Sequence, residues 1–160
     1  MVVLEAGDTG WEKIQSIFSA MRMWGGSIQA AYAAQAALAL AVALSLVWLW
    51  RSRAADELKA AALACACLLA TPYVLDYDLV VLAIAIAFFA RHGLAQGFRD
   101  YEVSVLAFAW MAPLVARSIA GAIGLPLGLI AMLALYALTM RRATLDLAGS
   151  ARAGEALARA

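Results

Sequence analysis

From Ser27 to Trp50 the chain runs 24 residues without a charge. At 1.5 Å per residue that is about 36 Å of helix, enough to cross a bilayer with some tilt. Away from water such a stretch must satisfy its own backbone, which makes it helical. The rest of the chain follows the same pattern, with 66% hydrophobic and 14% charged residues. Soluble domains are about 25% charged and about 45–50% apolar. A globule of 160 residues cannot hide that excess in its core. The expected fold class is therefore all-α, a polytopic membrane helical bundle of about five transmembrane helices behind an interfacial amphipathic helix.

Charge and turn residues mark the expected segments as a leader over 1–26, a membrane domain over 27–142 and a tail over 143–160. The expected spans are about 27–50, 59–72, 78–91, 103–117 and 122–140. The second and third are short for a crossing, so residues of the turn between them must complete them. In the leader, Trp11, Ile14, Ile17, Phe18, Met21 and Trp24 recur at helical spacing, and Thr9 with Glu12 reads as a capping box. This apolar stripe suits the membrane interface or packing against protein equally well. Gln29 and Gln35, in or near the first span, read as interhelical hydrogen-bonding groups, and Gly124 and Gly128 give the GxxxG spacing of close helix contact. Residues 143–160 read as an Ala/Arg-rich surface tail, and His92 as a surface residue in a polar loop. Cys65 and Cys67 are two apart on a helix and point apart, so they read as packing residues.

The first ten residues carry Glu5 and Asp8 and no basic run, so they do not read as a signal peptide. The chain reads as the tail of something longer. Basic residues set the orientation. Arg51, Arg53, Lys59, Arg91, Arg99, Arg141, Arg142, Arg152 and Arg159 fall on one side, and Lys13, Arg22 and Arg117 on the other. The carboxyl terminus is expected in the cytoplasm, and the leader and the turn before the third span outside.

That turn carries the chemistry. Asp76 and Asp78 are the only charges between Ala60 and Ala90. A carboxylate at membrane depth costs roughly 2.5–3.5 kcal/mol on insertion scales, so it sits at an interface, in a cavity or at a functional site. Tyr73, Tyr77, Lys13, Arg22 and Arg117 fall on the same expected side. Carboxylates beside cations at an outer surface suit a lipid phosphate and a hydroxyl-bearing acceptor, because arginine forks phosphate oxygens and a carboxylate takes a hydroxyl proton. Asp76 and Asp78 are the candidates for catalysis; Lys13, Arg22, Tyr73, Tyr77 and Arg117 are the candidates for binding the lipid phosphate and substrate. Structural roles also fit: Asp78 or Asp76 as a helix cap, and Arg117 reaching up to headgroups. There is no Gly-rich phosphate loop and no histidine or cysteine cluster. No cofactor, metal or nucleic acid is expected.

The run Gly10-Trp11-Glu12-Lys13-Ile14-Gln15-Ser16, then Gly25-Gly26, then Ala70-Thr71-Pro72-Tyr73-Val74-Leu75-Asp76-Tyr77-Asp78-Leu79, resembles the carboxy-terminal part of glycosyltransferase family 87. The resemblance extends over roughly 2–140. These are bacterial membrane proteins of the GT-C type, related to polyprenyl-phosphate-mannose-dependent mannosyltransferases. The resemblance implies a GT-C-like fragment that takes a polyprenyl-phosphate-linked sugar donor on the periplasmic side of the inner membrane. It also implies an amino-terminal half or partner membrane subunit, because GT-C enzymes carry their key acidic residue in an early outer loop that is absent here. A non-catalytic membrane subunit that binds lipid or a partner is the alternative.

Overall fold

The computed structural model describes residues 10–159, with side chains described through Arg152. Among these residues six α-helices follow one another: α1 (Ile17–Met23), α2 (Ile28–Arg51), α3 (Asp56–Ala70), α4 (Leu82–Gln96), α5 (Glu102–Ile123) and α6 (Leu127–Arg159). Short 3₁₀ turns at Trp11–Lys13 and Asp76–Val81 precede α1 and α4. Among the described residues there is no strand, only one isolated antiparallel bridge between Ile14 and Leu75.

The all-α membrane bundle is as expected. Among the described residues four helices are long and apolar enough to cross a membrane: Ile28–Arg51, Asp76–Gln96, Glu102–Ile123 and Leu127–Arg152. The helix expected as the second span, α3, is 15 residues long, about 22 Å. It is the centre of the bundle, packed on α2, α4 and α6. Leu58, Ala61, Ala62, Cys65, Ala66, Leu68 and Leu69 all turn inward from it. Its abundant alanines let three neighbours approach closely. Cys65 faces the core and Cys67 faces out, as their spacing required.

Burial sorts inner from outer helices. Of the most apolar window, 17% is buried in α2 and 56% in α6, so α2 is peripheral and α6 interior. Leu40, Leu44 and Val47 form one exposed stripe on α2, and Trp110 and Leu114 another on α5. Exposed apolar area on this scale suits contact with lipid.

Several expectations need correction. The leader is not one helix: Ile14–Ser16 is an extended break between the first 3₁₀ turn and α1. Ile14, Gln15, Ser16, Phe18 and Ser19 are buried, so the leader packs on protein. Its Thr9 cap lies outside the described residues; Ser16 caps α1 instead, accepting from Ser19 N at 3.1 Å. The fourth span runs on through Pro113 to Ile123, so Arg117 is inside α5 and not in a turn. Gly124 ends that helix in the left-handed region at φ 69°, where only glycine is free of Cβ strain. It is therefore a helix stop, not half of a helix-contact motif. The expected tail continues α6 to Arg159, and Ala143 within it is fully buried.

Candidate functional site

Pro72 has no N–H and ends α3 after Thr71. The chain then runs extended and pairs with the leader, where Gln15 N donates to Val74 O at 2.7 Å. Gln15 is fully buried and also bridges to α6, its Oε1 accepting from Gly128 N at 3.1 Å. Its Nε2 donates to Glu12 O at 2.8 Å. Trp24 Nε1 donates to Gly124 O at 2.9 Å, fastening the leader to the corner between α5 and α6. These bonds place the leader, the 71–78 turn and the α5–α6 corner at one end of the bundle.

The two aspartates have different roles there. Asp78 Oδ2 accepts from Leu75 N at 2.9 Å, and Asp78 N donates back to Leu75 O at 3.0 Å. Asp78 is thus the cap of the turn that leads into α4. Asp76 Oδ1 accepts from Tyr77 N at 3.1 Å, while Oδ2 lies 3.9 Å from Arg117 Nη1. Asp76 is the partly exposed carboxylate of the pair that faces a cation. It stands with Tyr77 at the head of an open groove of about 290 Å³. Val80 and Ile86 form one wall of the groove, and Trp110 and Leu114 of α5 the other.

The other sequence candidates do not converge on Asp76. Arg22 Nη1 donates to Gly26 O at 2.7 Å, and its guanidinium sits 5.4 Å from the centre of the Trp11 ring. It holds the turn after α1. Lys13 is on the first 3₁₀ turn and, among the described residues, makes no ion pair with either aspartate. Tyr73 is exposed beside the turn. The structure therefore pairs Asp76 with Arg117, sets Tyr77 beside Asp76 at the groove, and leaves Asp78, Lys13, Arg22 and Tyr73 outside that pair.

A second polar cluster, at the opposite end, was not apparent from the sequence. Arg142 Nη1 donates to Glu102 Oε2 at 2.8 Å and to Gly97 O at 3.0 Å. Its Nε donates to both oxygens of Asp146, at 3.1 and 3.0 Å. Arg99 Nη2 reaches Asp146 Oδ1 at 2.7 Å, and His92 Nε2 lies 2.9 Å from Oδ2. His92, expected at the surface, is 7% exposed and part of this network. The one signal in the sequence was Arg142 and Asp146 at helical i,i+4 spacing.

The model of glycosyltransferase family 87 matches residues 2–72. No curated protein and no solved structure matches the chain. The match covers the leader, α2 and α3 and stops at Pro72, so the acidic turn and Arg117 lie beyond it. Glycosyl transfer is the activity that the family carries in general. Over residues 2–72 this helical membrane bundle is thus similar to glycosyltransferase family 87.

Proposed function

We propose that the chain works as, or as part of, a membrane hexosyltransferase, mannosyltransferase-like, that uses a polyprenyl-phosphate-linked donor. The observation that carries this reading is the pairing of Arg117 with Asp76, the carboxylate that lines an apolar groove. A lipid-phospho-sugar has the same layout, with a long apolar tail, one phosphate and a hydroxyl-rich head. The tail fits against Trp110, Leu114 and Ile86. Arg117 neutralises the phosphate, which leaves on the lipid as the sugar's C1–O bond breaks and the acceptor hydroxyl oxygen bonds to C1, the hydroxyl proton passing to the departing phosphate or to a base outside this chain. Asp76 binds a sugar hydroxyl or orients the acceptor. Asp78 is spent on Leu75 N, so it supports the turn.

The nine-to-three split of basic residues supports an orientation with this end outside and the carboxyl terminus in the cytoplasm of a bacterial cell. An amino-terminal half or a partner membrane subunit would supply the remaining catalytic groups. A photoreactive polyprenyl phosphate, applied to the purified chain in lipid nanodiscs, tests the reading. Crosslinks should map to the 80–86 and 110–114 segments and fall about tenfold in Arg117→Gln, the effect of one lost charge-assisted contact. Crosslinks spread over α2, or unchanged in that variant, would reject it.

A further inference from the structure

At the end opposite Asp76 a second cavity, of about 410 Å³, opens between the α2–α3 turn, the end of α4 and α6. Arg53, His92, Gln96, Arg99, Asp146 and Ser150 line it. Its carboxylate is already saturated, since Asp146 accepts from Arg142, Arg99 and His92 together. Glu102 behind it is taken by Arg142 and by Arg99 N. Arg53 and Arg99 line the cavity with one carboxylate, Asp146, while Arg142 behind it is matched by Glu102, leaving one positive charge in excess at the lining. Arg53 makes no ion pair among the described residues. Arg99 spends one N–H on Asp146 and keeps the rest of its fork. Trp48 and Trp50, both exposed just before this turn, mark the level of a membrane edge.

We propose that this cavity binds a phosphate group with one net negative charge, held between Arg53 and Arg99. The group is the headgroup of an anionic lipid or a free phosphate; either presents the oxygens that a guanidinium fork recognises. The Arg142–Glu102–Asp146 network holds Arg99 through its side chain and its backbone N–H, so little ordering is needed on binding. The proposal does not depend on the donor site at the other end.

Gly149 allows a test that leaves charge unchanged. It lines the cavity, and a Cβ there would meet nothing within 4 Å. Gly149→Leu extends a neutral side chain from that open position, and Arg53→Gln removes the unpaired cation. The full chain is purified from nanodiscs holding phosphatidylglycerol and phosphatidylcholine, and retained lipid is read by native mass spectrometry. The unaltered protein should favour phosphatidylglycerol by about tenfold, and both variants should lose that preference. In a second arm, millimolar inorganic phosphate is added to the protein in phosphatidylcholine alone and the thermal midpoint is read. A rise that both variants abolish assigns the site to free phosphate. The variants' midpoints without phosphate report folding; if Gly149→Leu is misfolded, Arg53→Gln carries the test. A lipid preference and a midpoint response that are the same in the unaltered protein and the folded variants overturn the proposal.

Discussion

Glu102 and Arg142 meet at 2.8 Å with 0% and 2% of their side chains exposed. They join the first turn of α5 to the interior helix α6. Such a pair adds little over an apolar pair of the same volume, but removing Glu102 takes one of two carboxylates from the buried Arg142, which keeps Asp146, and leaves Arg99 N without its acceptor. Glu102→Ala should therefore cost about 1–3 kcal/mol. The joint replacement Glu102→Leu with Arg142→Met should recover most of that loss. Thermal unfolding in detergent by circular dichroism checks both, and a double variant as unstable as the single one would contradict this account.

Gly128 and Gln15 form the corresponding lock at the other end. A Cβ on Gly128 would lie 2.8 Å from Gln15 Oε1 and from Leu79 Cδ1. Gly128→Ala should cost about 1–3 kcal/mol through overpacking. Gln15→Ala, which leaves the Gly128 N–H unsatisfied, should cost about as much. The two should combine to less than their sum, because the truncated Gln15 makes room for the new methyl group. Chemical unfolding of the two single variants and the double variant measures the coupling, which additivity would exclude.

Asp76 and Asp78 should separate cleanly on substitution. Asp78→Ala should lower stability by about 1 kcal/mol through loss of the cap on Leu75 N, with donor crosslinking retained. Asp76→Asn should leave the unfolding midpoint close to that of the unaltered protein and reduce glycosyl transfer more than tenfold in a reconstituted enzyme, about the contribution of one preorganised polar group. The reverse assignment, with transfer sensitive to Asp78 alone, would move the site.

Topology can be read by labelling. In a Cys67→Ala background, cysteine replaces Tyr77 or Asp100, both exposed and at opposite ends of the bundle. Cys65 stays unreactive because it is buried. A membrane-impermeant maleimide added to intact cells should label position 77, and should reach position 100 only after permeabilisation. Labelling in the opposite order would invert the proposed orientation.

Much of the fold was legible because crossing a membrane depends on consecutive residues. The uncharged run to Trp50, the stop at Pro72 and the basic residues near the helix ends can each be read in one dimension. The leader misled because its helical spacing was real, yet Gln15 N is taken by Val74 O at 2.7 Å. A tertiary backbone bond outweighed local periodicity there. His92 misled because its partner, Asp146, lies 54 residues further along the chain. Among the site candidates, residue type identified the acidic turn and its cation. It could not say which aspartate caps and which faces Arg117, since both lie in the first turn of the same 3₁₀ segment.

The sequence by itself determined that this is an all-helical membrane protein and where its main breaks fall. Each apolar segment must satisfy its own backbone in lipid, and that requirement is local. Only the tertiary structure decided that Asp76 meets Arg117, that Gln15 locks Gly128, and that Arg142 gathers Glu102 and Asp146. Most of those contacts join different elements of the chain, and which elements become neighbours is set by packing around the alanine-rich α3.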